Sequence, residues 1–238
     1  MTALVLLHGF TGAPSSWDAV LTAGSFADVH RPSLAGHHPM LPPPLSFDAE
    51  VDRLAASIPR GAHLAGYSLG ARLALGVAAR HPGLLSRLTL LSMRPPLPDD
   101  ARATRLAADE RWAQLLRDGG IDAFCDAWEA QPLFANGLAK ATDAARAATR
   151  ARRRAHDPSA LAATLVTLSP GNMPAYAWPR LPLRLLVGAD DVALCRASLG
   201  LRVEVIRGGH DLLLESPSAV ADCLTNPLSR EVFRVQAH

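Results

Sequence analysis

Lysine is nearly absent from this chain. Of 24 basic residues only Lys140 is lysine, and the other 23 are arginine. Against 22 acids the formal charge is +2, too balanced for a general polyanion or membrane-surface binder. The densest basic run, 146–154, is short and carries no interleaved aromatics, which argues against nucleic-acid binding. Cysteine is equally scarce. Cys125, Cys195 and Cys223 are odd in number, far apart and without a C-x-x-C pair, which excludes a disulfide framework and a zinc site. Reduced thiols of this kind predict a cytoplasmic protein. Long apolar runs are missing as well: none approaches the roughly 20 residues of a membrane helix, and Arg72 interrupts the best candidate, around 64–79. The apolar start, MTALVLLHGF, has no basic leader and runs into a glycine turn, so it predicts a buried strand and not a signal peptide.

What is present is a large apolar fraction, 49% of 238 residues, enough for one substantial core with room for an insertion. Short apolar runs at 3–7, 27–31, 62–67, 87–91, 182–187 and 202–206 read as strands. Helical patterns separate them: 16–21 with Ser15 or Ser16 as cap, 47–58, 69–80, one between the last two strands and one after Pro217. That rhythm predicts an α/β fold with a mostly parallel sheet flanked by helices. Residues 98–170 break it, being rich in Ala, Arg and Asp with helical spacing and no strand. The expected organisation is a core of 1–93 and 181–238 interrupted by a helical lid of 94–180.

Gly66-Tyr67-Ser68-Leu69-Gly70 matches G-x-S-x-G between a predicted strand and a predicted helix, the context that gives this motif meaning. A tight strand-to-helix turn lifts the serine into an exposed, strained position, and the helix N-terminus adds partial positive charge beside it. A serine hydroxyl needs a base, and the base an orienting acid. Leu185-Leu186-Val187-Gly188-Ala189-Asp190-Asp191 ends a strand in two acids; Asp191 is the preferred orienter and Asp190 the reserve. His210, in Arg207-Gly208-Gly209-His210, is the one histidine that directly follows a late strand. Ser68, Asp191 and His210 are therefore the candidate catalytic residues, with the backbone N–H groups of Phe10 and Leu69 as the expected oxyanion hole. His8 reads as a structural histidine that holds its loop.

The strings LHGFTG, GYSLGAR, LVGADD and RGGH together resemble the α/β-hydrolase superfamily over nearly the whole chain. Within it, the stretch 102–134, above all W-x-x-Q-P-L-F at 128–134, is similar to the lid of the 2-succinyl-6-hydroxy-2,4-cyclohexadiene-1-carboxylate synthases of menaquinone biosynthesis. That resemblance implies a cofactor-free, metal-free lyase that eliminates pyruvate from a succinyl-cyclohexene dicarboxylate, Ser68 acting as base. It also implies that Arg72, Arg105 and Arg153 bind substrate carboxylates while Tyr67 and Trp128 line the pocket. Choosing Arg153 over its neighbours Arg152 and Arg154 rests on the family spacing alone. A serine carboxylesterase, thioesterase or C–C bond hydrolase with the same triad is the alternative. The sequence departs from the family pattern at SLAGHH (33–38), at Ala71, at Met93-Arg94-Pro95-Pro96, and at Glu129, where an aromatic is frequent.

Overall fold

The computed structural model describes residues 2–37, 41–191, 193–194 and 202–226. The helix expected between the last two strands falls mainly outside these residues, as do Cys195 and His38, the last residue of SLAGHH. Among them the strands are β1 (Leu4–Leu7), β2 (Val29–His30), β3 (Ala62–Tyr67), β4 (Leu85–Leu91), β5 (Leu183–Gly188) and β6 (Glu204–Ile206). They form one sheet in the order β2-β1-β3-β4-β5-β6, with every neighbouring pair parallel. Parallel neighbours require crossovers, and up to β5 these are supplied by α1 (Asp18–Ala23), α2 (Phe47–Ala55), α3 (Leu69–Arg80) and the run α4 (Asp99–Glu129), α5 (Pro132–Lys140), α6 (Asp143–Arg154) and α7 (Pro158–Thr167), while α8 (Leu212–Glu215) and α9 (Pro217–Thr225) follow β6.

Alternation along the strands decides which helix covers which face. Val5 and Leu7 join a cluster with Val51 and Leu54 of α2 and Leu73 and Val77 of α3. Leu4 and Leu6 point the other way, into a cluster with Val20 of α1 and Val220 and Leu224 of α9. Both faces are therefore covered, and β1 and β3 are buried along their whole length.

All four helices α4–α7 lie between β4 and β5 in sequence. They own a third apolar cluster, in which Ala113, Leu116 and Phe124 of α4 pack on Leu161 and Leu165 of α7. Local chemistry sets their ends. Thr142 caps α6 by accepting the Ala145 N–H, and Asp157 caps α7 by accepting that of Ala160. Gly120 breaks α4 with φ 73°, so the long helix is two segments joined at a kink.

Several expected boundaries shift. Neither Ser15 nor Ser16 caps the first helix: 14–17 is a 3-10 turn, α1 starts at Asp18 after Trp17, and the Ser16 hydroxyl instead accepts the Ala13 N–H. Pro14 opens that turn, and its fixed φ favours a tight start. The second helix ends at Ala55, short of the expected 58, and β4 begins at Leu85, two residues before the predicted strand.

Candidate active site

Ser68 sits between β3 and α3 with φ 53° and ψ −107°, a conformation non-glycine residues rarely adopt. Such strain costs about 1–3 kcal/mol and persists only where the surroundings enforce it. Here they do. A Cβ on Gly66 would lie 2.3 Å from the Gly70 carbonyl oxygen, and one on Gly70 would lie 2.5 Å from those of Leu7 and His8. Glycine at both positions lets α3 start directly against β1, and the Ser68 N–H is held by the Leu91 carbonyl at 2.9 Å.

His210 lies in the loop between β6 and α8, with Nε2 3.2 Å from Ser68 Oγ. Its Nδ1 is 2.7 Å from Oδ2 of Asp191, in the loop after β5. The other Asp191 oxygen accepts the Leu194 N–H at 3.0 Å. Burial acts to raise the Asp191 carboxyl, but the His210 hydrogen bond and charge, the Leu194 N–H and the Arg94 charge outweigh it, so the carboxyl lies below its ordinary value. Asp190 faces outward, exposed and 3.4 Å from Lys140 Nζ. Between the two acids, the geometry brings only Asp191 to His210. Ser92 Oγ donates to the His210 carbonyl at 2.7 Å and fixes the histidine backbone, a contact the sequence reading did not anticipate.

Leu69 opens α3, so its N–H has no carbonyl behind it. Neither that N–H nor the Phe10 N–H has a partner among the described residues, and both residues border the same cavity as Ser68. His8 is wholly buried beneath this loop: Nδ1 meets the Gly9 carbonyl at 2.9 Å, and Nε2 accepts the Leu34 N–H at 3.2 Å. Both nitrogens are engaged in holding the backbone.

Two cavities, of about 250 and 200 Å³, share Phe10, Ser68, Trp128 and Phe134 as a common wall. Ser68 thus stands where two lobes meet. Arg72, Arg94 and Arg105 border the smaller lobe, and Tyr67, Arg152 and Arg153 the larger. The predicted arginines therefore separate between the two lobes, Arg72 and Arg105 in one and Arg153 in the other. Their partners differ too. Arg105 is locked in a two-pronged pair with buried Asp109, at 2.9 Å on both prongs. Arg153 is buried against Glu129 at 3.0 Å and stacks over the Phe134 ring. Arg72 has no carboxylate within ion-pair distance among the described residues; its Nη1 donates to the Leu168 carbonyl at 2.7 Å. Burial and the nearby Arg105 charge depress it to about 9, with Asp109 partly opposing. Arg154 points away to Asp122 and Asp126. Trp128 stacks on Phe124 and packs at a tilt against Phe134 while bordering both lobes, so it is packed core and cavity wall at once.

Arg94 was not among the predicted site residues. Its signal was its place just past the carboxyl end of β4, the end of a parallel sheet where ligands bind.

Residues 4–223 match the model of the alpha/beta hydrolase family. The chain belongs to that family. More particularly, it is similar to the 2-succinyl-6-hydroxy-2,4-cyclohexadiene-1-carboxylate synthase of Serratia proteamaculans, with 32% identity over 94% of this chain and 91% of that protein. Among solved structures it is similar to MenH from S. aureus, with a TM-score of 0.84 at 24% identity over 94% and 91% of the two chains. It also resembles a thermophilic esterase from Thermogutta terrifontis, with a TM-score of 0.72 at 20% identity over 94% and 88%. Structural likeness at such identities speaks for the fold alone, because one fold hosts many reactions.

Proposed function

We propose that the chain is a cofactor-free lyase that eliminates pyruvate from a succinyl-cyclohexene dicarboxylate, as a menaquinone-pathway synthase. The observation that carries this reading is Arg72: a buried guanidinium without an acid partner among the described residues, in a cavity that Ser68 and His210 also border. A cation in that state favours a substrate carboxylate, for which its planar fork is suited. The names of the relatives supply the substrate class.

In the proposed reaction His210 takes the Ser68 hydroxyl proton, and Ser68 Oγ removes a ring proton beside the succinyl carbonyl. The C–H electrons become the ring double bond and the C–O bond to the enolpyruvyl group breaks. His210 then returns a proton to the departing enolate, which leaves as pyruvate. Negative charge that develops on the succinyl oxygen would meet the Phe10 and Leu69 N–H groups. Asp191 holds His210 in the tautomer this exchange needs. Residues 94–180 act as the lid that keeps water from the reacting carbon, over a core of 1–93 and 181–238. Free Cys125 and Cys223 suit a cytoplasmic setting, and the small-molecule substrate is the one partner this reading requires.

The test is pyruvate release from the enolpyruvyl substrate, run beside a panel of p-nitrophenyl esters. Pyruvate release that Ser68→Ala abolishes and Arg72→Ala lowers about 100-fold supports the lyase. A wild-type enzyme that hydrolyses esters with an acyl-enzyme burst and releases no pyruvate sinks it. The strained Ser68 and the Phe10 and Leu69 N–H groups would serve a tetrahedral oxyanion equally well, which is the observation behind that second reading, a serine carboxylesterase or related hydrolase.

A further inference from the structure

Arg152 borders the larger lobe and is half-buried, yet it has no carboxylate within ion-pair distance among the described residues. Its one side-chain hydrogen bond runs from Nη2 to the neutral Thr149 hydroxyl, at 3.1 Å. Among the other charges of this lobe, Asp18 and Asp211 act on the Arg152 charge from beyond ion-pair distance. Arg153 is held by Glu129, which is buried and also accepts Arg150 Nε at 2.7 Å. Asp18 is paired with Arg31, and Asp211 accepts the Leu214 N–H at the start of α8.

We infer that Arg152, and not Arg153, is the residue that receives a substrate carboxylate in the larger lobe, and that Glu129 holds Arg153 out of that role. The inference rests on the anionic-substrate reading above. A guanidinium with spare N–H groups gains charge-assisted hydrogen bonds when an anion arrives, whereas one already paired in a buried site must first break its pair. In the smaller lobe Arg72 is the buried cation without an acid partner among the described residues, and the exposed Arg94 lies beside it. The two guanidiniums border different lobes that share Ser68, so the ligand class is a dicarboxylate with one acidic group in each lobe. A monocarboxylate would satisfy only one lobe.

The experiment is calorimetric binding of 2-succinylbenzoate, a ring dicarboxylate with no leaving group, beside benzoylpropionate, which lacks the ring carboxylate. Arg152→Gln is expected to weaken 2-succinylbenzoate about tenfold or more, the worth of a charge-assisted bond. It should also shrink the preference for the dicarboxylate. Adding Glu129→Gln to Arg152→Gln releases Arg153 and is expected to restore most of the lost affinity. Arg152 sits on the partly exposed side of a surface helix, and thermal melts check that both variants fold; Arg152→Lys, which keeps the charge without the fork, should fall between. Unchanged binding in Arg152→Gln, failure of Glu129→Gln to restore it, or no binding of 2-succinylbenzoate by the wild-type enzyme overturns the assignment. Arg152-dependent binding without pyruvate release would leave this site standing and remove the lyase reading instead.

Discussion

At the scale of single residues, buried histidines carry the clearest pH signature. His8 is held at about 4 by burial, with the nearby charges of His156 and Arg152 adding to it and a hydrogen bond to Gly9 opposing. His37 and His156 stack edge-on in series with it, His8 to His37 at 5.2 Å and His37 to His156 at 5.4 Å. Burial lowers both of these as well, and holds His63 at about 3. An unfolded chain protonates these rings below about 6.5, while the folded chain keeps them neutral. The stability they contribute is therefore complete above that pH. It declines as pH falls through it, down to about 4 for His8 and about 3 for His63. For His8 alone the loss is on the order of 3 kcal/mol. Thermal melts should show Tm falling from about pH 6.5 downward; a flat Tm down to about pH 4.5 would contradict it. Asp191, depressed, adds loss in the same direction at lower pH. Its Asn variant is expected to fold normally yet lose kcat by about 10⁴-fold, as the amide leaves His210 in the wrong tautomer.

At the scale of elements, the turn from β3 to α3 and the clamp between α4 and α6 matter most. The turn depends on backbone approach at Gly66 and Gly70, where a methyl would strike carbonyl oxygens and not yielding side chains. Gly66→Ala is expected to cost about 3 kcal/mol or more in urea unfolding and to remove activity, since α3 must back away and Ser68 with it. A stability change under 1 kcal/mol with full activity would refute the packing argument. The α4–α6 clamp explains part of the arginine excess: Arg150 and Arg153 meet Glu129, and Arg154 bridges Asp122 and Asp126. The composition left open whether these arginines were solvated or engaged, because helix periodicity says which residues share a face and not what that face meets.

At the scale of the whole molecule, the α4–α7 segment meets the core through aromatic rings. Phe10 from the β1 loop packs edge-on against Phe124 and Trp128, and Phe134 packs edge-on against His210. The rings that bind the two parts also wall the cavities. Trp128→Ala should therefore lower stability by about 3–5 kcal/mol and raise KM in the same variant. Urea unfolding with steady-state kinetics tests this. A large stability loss with unchanged KM would mean that Trp128 serves packing alone.

Much of the fold was legible because local chemistry carries it. Apolar runs spaced by helices specify a parallel sheet, and G-x-S-x-G at a strand-to-helix junction specifies the turn that strains Ser68. The order of Ser68, Asp191 and His210 along the chain was readable too, since each follows a strand. The choice between Asp190 and Asp191 was not, because adjacent residues differ only in which way the backbone turns them after β5; the structure sends one to Lys140 and the other to His210. The arginines show the same limit. Sequence could mark Arg72, Arg105 and Arg153 as cations near the site, but a cation's availability depends on which acid reaches it across the fold. Only the tertiary structure places Asp109 on Arg105 and Glu129 on Arg153 and leaves Arg72 and Arg152 without one among the described residues.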